Sequence, residues 1–171
     1  MKKAVTALFI GFGILLQNDA NIIEWNSDYK LKMEDFKGIP DYSLKYSAIS
    51  AIEIKPVIFE VLDSFHYNFE VLFIKNESWI KKDSKNLLEH EQLHFDIAEL
   101  FARKLRKITM EGVFTDDESF MSVIDSVYCE WSSFDNIYDK STMYSILSEE
   151  QNKWKIMIRD SLVLYEKYRL K

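Results

Sequence analysis

Leu87-Leu88-Glu89-His90-Glu91-Gln92-Leu93-His94-Phe95-Asp96-Ile97-Ala98-Glu99-Leu100 is the stretch around which the rest of the chain can be organised. His90 and His94 are four residues apart. On a helix that spacing stacks two imidazoles on one face, one turn apart, where both can grip a single ion. Glu91 follows the first histidine, and a carboxylate there can take the proton of an attacking water while a metal polarises the bond under attack. At about 100° per residue, Leu87, His90, Glu91, His94, Ala98, Phe101 and Leu105 fall within one arc, so the histidines lie inside the stripe that faces the interior. A buried imidazole without a partner is costly. A shared zinc ion is one explanation for two of them, and a hydrogen-bonded core pair is the other.

Asp83 or Ser84 is a suitable N-cap for this helix, which can run to about Met110 with Gly112 as its stop. Lys104, Arg106 and Lys107 suit the negative end of its dipole. Two histidines need a third protein ligand. Asp96 and Glu99 are close in sequence, yet Glu99 projects roughly 160° away from the histidines and Asp96 fails for the same reason. His66, the only other histidine, can serve as a ligand, although its place on the polar side of an alternating strand is an ordinary one for a solvated histidine. Otherwise the third ligand is expected from the later helices or the loop joining them.

Upstream of the helix the chain leans towards β-structure. Ile22 to Trp25 suits a short strand, and Glu34-Asp35-Phe36-Lys37-Gly38-Ile39-Pro40 reads as a turn. Tyr46 to Ile54 and Val57 to Leu62 are rich in β-branched and aromatic residues, with Pro56 expected to separate them. From Phe65 to about Lys75 apolar and polar residues alternate, the pattern of a half-buried strand. Downstream, Thr115-Asp116-Asp117-Glu118 opens a second helix. Phe120, Ile124, Val127, Trp131, Phe134 and Tyr138 recur along it at helical spacing. A third begins at Ser148, with Gln151 as the reciprocal cap. The expected fold is α+β and zincin-like: a small antiparallel sheet between about Ile22 and Lys75, packed on about three helices, with the histidine pair on the first long one.

A length of 171 residues suits one domain with a real core, and the 15% aromatic content argues against disorder. A net charge of −6 with scattered cations leaves no basic footprint for nucleic acid. Cys129 is the only cysteine, which excludes an internal disulfide and a cysteine-based zinc cluster; beside Val127, Tyr128 and Trp131 it reads as a buried small hydrophobe. Met1-Lys2-Lys3, the apolar run Ala4 to Leu16 and the polar Gln17 to Ala20 have the form of a signal peptide over residues 1–20. Residues 21–171 are then a single exported domain, periplasmic or secreted, with no stable membrane span once the signal is removed.

The Leu87–Leu100 segment resembles the signature of the bacterial predicted secreted zinc-dependent proteases, a domain family of unknown function. Ile23-Glu24-Trp25 and Asp35-Phe36-Lys37-Gly38-Ile39-Pro40 resemble its N-terminal motif, although that family usually has tryptophan where Met33 stands. Ser78-Trp79 resembles the approach to its metal helix. Tyr138-Asp139-Lys140-Ser141-Thr142-Met143-Tyr144-Ser145 resembles its Tyr-Asp-x-x-Thr-x-His-Gly motif, followed by Gln151 and Trp154. The resemblance spans nearly all of the chain after residue 20. It implies zinc as cofactor, His90 and His94 as ligands, and Glu91 as general base. It also marks a departure: Tyr144 stands where the family's third-ligand histidine is found, and Ser145 where its glycine is found. Three arrangements stay open. Tyr144 can ligate as phenolate, Asp139 or Glu149 can substitute, or the site is degraded.

Two functions of different class follow. One is an exported zinc metallohydrolase, a peptidase acting on a peptide or protein substrate, with Tyr144 as a ligand or an oxyanion-stabilising phenol. The other is a non-catalytic envelope binding protein that keeps the scaffold with a weakened site.

Overall fold

The structure is a computed structural model that describes residues 20–61, 64–82, 84–112 and 116–170. The expected signal segment, apart from Ala20, lies outside the described residues, as does Thr115. Among the described residues the architecture is α+β, with three α-helices and two small antiparallel sheets.

The first sheet has the order β1-β4-β3: β1 (Ile22–Glu24), β3 (Ile52–Val61) and β4 (Ser64–Ile74). Alternation along β4 sends Phe69, Val71 and Phe73 into the core, each 1% exposed or less. Pro56 does not divide two strands but lies within β3, paired across to Phe69. β3 is an edge strand, so a residue without an amide hydrogen is tolerated there. The second sheet pairs β2 (Ala48–Ile49) with β5 (Trp79–Ile80).

Helix α1 (Lys85–Glu111) crosses the sheet and is flanked by α2 (Asp117–Ser141) and α3 (Ser148–Leu164). Ser84 caps α1 by accepting from the Leu87 amide. Gly112 ends it in an extended conformation, φ −74°, rather than in the left-handed region. Partners on three sides bury more than one stripe of α1: Phe95, Ile97, Ala98, Phe101, Ala102 and Leu105 are all 2% exposed or less. Asp116 caps α2 through the Ser119 amide. α3 starts at Ser148 as expected, but its N-cap is Leu147 with no side-chain cap. Gln151 is turned inwards instead and donates to the Asn86 carbonyl of α1. Cys129 is exposed rather than buried, because the inward stripe of α2 runs through Ile124, Val127 and Tyr138 and passes it by. Among the described residues no helix is long and apolar enough to cross a membrane.

The segment before β2 is strapped to the sheet. Lys37 N–H donates to the Lys75 carbonyl and Gly38 N–H to that of Ser78. A Cβ on Gly38 would lie 2.8 Å from the Ser78 oxygen, so only glycine allows this approach. Ser78, fully buried, donates its hydroxyl to Ile74 O and accepts the Ala51 amide. That bond fixes the chain beside Ser50, which reaches the site described next.

Candidate metal centre

The polar residues of the Leu87–Leu100 segment point in different directions. Gln92 and Asp96 face the N-terminal segment: the Leu31 amide donates to Gln92 Oε1, and Asp96 Oδ1 accepts from Trp25 Nε1 and Gln92 Nε2, each at 2.9 Å. Burial raises the Asp96 pKa above the usual carboxylate value. Glu99, 2% exposed, faces the sheet and the C-terminal residues. There it takes Arg103 Nε at 2.8 Å and Arg106 Nη1 at 2.9 Å. Neither acid joins the histidines, in keeping with the helical angle.

His90, Glu91 and His94 line a different space, a cavity of about 520 Å³ whose walls also include Ser47 to Ser50, Trp131, Asp135, Asp139 and Tyr144. His90 Nε2 and His94 Nε2 are 3.3 Å apart, and Asp139 Oδ1 lies 3.0 Å from each. A tetrahedral ion with bonds of about 2.0–2.1 Å holds its ligand atoms about 3.3 Å apart, the separation of the two histidine nitrogens, while the Asp139 oxygen stands closer to each, at hydrogen-bonding distance. Two imidazole nitrogens and one carboxylate oxygen are also a donor set suited to zinc. Among the described residues these three form the group with metal-ligand spacing. The elements explain the convergence: the histidines are one turn apart on α1, and Asp135 and Asp139 are one turn apart on the facing side of α2.

The outer nitrogen of His94, Nδ1, lies 3.0 Å from Asp135 Oδ1. Burial works against an imidazolium at His94, but Asp135 and Asp139 outweigh it and push the pKa up to about 10. Burial likewise works against ionised Asp139, and the bonds to His90 and His94 outweigh that, holding its carboxyl well below the usual range. The outer nitrogen of His90, Nδ1, is buried without a hydrogen-bond partner. Its ring is set by Tyr138, stacked on it at 4.5 Å and 21°.

Glu91, 5% exposed, accepts a 2.6 Å bond at Oε2 from the Ser50 hydroxyl. Tyr144 lines the same cavity, but its ring packs on Tyr46 at 5.8 Å with Lys45 Nζ over it, and its hydroxyl makes no hydrogen bond to either histidine. Met143, Tyr144 and Ser145 are all left-handed, with φ of 48°, 53° and 77°. The turn is held by Tyr144 N–H on the Asp139 carbonyl and by the Asn86 side-chain amide on the Ser145 carbonyl. Position 145, where the resembled motif has glycine, thus has a backbone that glycine adopts without strain. His66 is exposed on β4, stacked on Phe59 and away from the cavity. Glu149 is exposed in the first turn of α3 and does not line the cavity either.

Sequence reasoning did not single out Asp135 or Ser50. The four-residue spacing of Asp135 and Asp139, matching that of the histidines, was the available signal for the first. Ser50 carries none, because its place depends on the strap through Gly38 and Ser78. No protein-family model matches the chain, and no curated protein or solved structure matches it.

Proposed function

We propose that the chain is an exported zinc-dependent hydrolase acting on peptide bonds, with His90, His94 and Asp139 as metal ligands and Glu91 as general base. The observation that carries this reading is the meeting of the three ligand atoms at 3.0–3.3 Å on the cavity wall that also holds Glu91. Zinc at that point would supply a Lewis acid for an attacking water and the carbonyl under attack. The remaining work belongs to side chains. Glu91 accepts the water's proton and passes it to the departing amine. Ser50 keeps one Glu91 oxygen engaged and leaves the other for that transfer. Tyr144 contributes wall rather than ligand in this reading, and the zincin-like character of the chain rests on the α1 motif together with the resemblance described above.

A non-catalytic binding role has one observation in its favour. Asp135 and Asp139 satisfy both nitrogens of His94 as ion pairs, which gives the network a structural use of its own. Metal content after dialysis separates the two. Near one zinc per chain in the domain from residue 21, lost in His94→Ala and in Asp139→Ala, supports the hydrolase. Substoichiometric zinc, unchanged by either substitution, overturns it.

A further inference from the structure

We infer that Asp135 is a positioning residue that fixes which nitrogen of His94 faces the metal; this rests on the metal-site reading above. An imidazole offers an ion one nitrogen, and the opposite N–H then needs an acceptor if it is buried. His94 satisfies both conditions along one line. Nε2 points at His90 Nε2 and Asp139 Oδ1, and Nδ1 points at Asp135 Oδ1, 3.0 Å away. Once zinc displaces the Nε2 proton, donation from Nδ1–H to Asp135 would keep Nε2, the atom in the ligand triangle, as the coordinating nitrogen. The Tyr138 ring, edge-on at 4.9 Å and 72°, limits rotation of the imidazole about this axis. α2 therefore contributes two carboxylates with different duties: Asp139 reaches the inner side of His94 and Asp135 the outer side.

The two histidines are unequal as a result. His90 Nδ1 is buried with no acceptor, so that ring is set by its stacking on Tyr138 and by the Asp139 contact at Nε2, with nothing bracing its outer nitrogen. His94 is the buttressed ligand, and the affinity of the whole site depends on Asp135, which does not belong to the triangle.

The test is zinc affinity by competition with a chromogenic chelator on the full domain, for wild type, Asp135→Ala and Asp135→Asn. The folding of each metal-free protein is checked by circular dichroism. Removal of an outer carboxylate weakens such sites by roughly 10–100-fold. That loss is expected for Asp135→Ala, with a smaller one for Asp135→Asn, whose amide oxygen can still accept. In proton NMR of the zinc-loaded wild type, the His94 Nδ1–H should appear downfield and exchange slowly, and Asp135→Ala should lose it. A merely structural Asp135 would lower the melting temperature without moving this signal. If Asp135→Ala fails to fold, Asp135→Asn decides by the same two readouts. Wild-type affinity in a folded variant overturns the inference and leaves the metal site standing. No zinc on the wild type overturns the metal site, and the inference with it.

Discussion

Ser50 Oγ lies 2.6 Å from Glu91 Oε2, joining the turn between β2 and β3 to the motif helix across the cavity. Ser50 is held in turn by its neighbour Ala51, whose amide donates to Ser78. A buried carboxylate with one oxygen engaged has a restricted orientation, which a proton-transfer group requires. Glu91→Gln keeps the size and the bond to Ser50 but cannot accept a proton. Its zinc content should match that of wild type, while any peptide hydrolysis should fall by about 10²–10⁴-fold, the usual contribution of a general base. Full activity in Glu91→Gln, measured on a zinc-loaded sample with a quenched peptide library, would remove Glu91 from the mechanism.

Asp139 and Tyr144 make opposite predictions for metal binding. Asp139 Oδ1 is 3.0 Å from both histidine nitrogens, whereas Tyr144 is engaged with Tyr46 and Lys45. Asp139→Ala should abolish stoichiometric zinc, and Tyr144→Phe should retain it. Isothermal titration with zinc checks both. A zinc-binding Asp139→Ala together with a zinc-free Tyr144→Phe would return the third-ligand role to the tyrosine.

Features governed by local rules were readable from the chain, and features governed by distant contacts were not. The Ser84 cap, the inward alternation of Phe69, Val71 and Phe73, and the direction of Glu99 away from the histidines all follow from periodicity and capping. Pro56 within β3 depends on that strand lying at the edge of its sheet, which no local pattern specifies. Gln151 bonds Asn86, 65 residues away, in place of its own helix end. Asp139 was one of two candidate acids, and only the facing of α1 and α2 separates it from exposed Glu149.

The other polar centre on α1 is structural. Glu99 accepts from Arg103 and Arg106, and Arg106 also donates to the carbonyls of Phe69 and Tyr168, linking α1 to β4 and the C-terminal turn. Glu99→Gln keeps the shape and removes the charge, leaving buried Arg106 without its carboxylate partner, while Arg103 keeps Glu166. Breaking a buried ion pair from one side costs about 3–5 kcal/mol. Urea denaturation should show a loss of that order with zinc binding unchanged in the folded protein. A loss under about 1 kcal/mol, the range of exposed ion pairs, would mean that water reaches the arginines.

Asp35 should give the fold an acid-sensitive joint. It is 2% exposed, and Oδ2 accepts from the Tyr29 hydroxyl at 2.7 Å and the Lys32 amide at 2.9 Å, while Oδ1 faces Lys75 Nζ at 3.1 Å. Burial alone would raise its pKa, but these partners outweigh burial and lower it; burial, together with this carboxylate, pushes the Tyr29 phenol up to about 12. Because the folded value lies below the unfolded one, the unfolded chain takes up the proton first as pH falls. The stabilisation from Asp35 is therefore complete above its unfolded pKa of about 4 and is lost as pH drops through the lowered folded value. Asp35→Asn should be less stable than wild type at pH 7, and the difference should shrink below about pH 4, where Asp35 of the unfolded wild-type chain begins to take up its proton. Urea midpoints at pH 7, 5 and 3 measure this directly. A difference that stays constant across the three would show that Asp35 acts through shape and hydrogen bonding rather than through its charge.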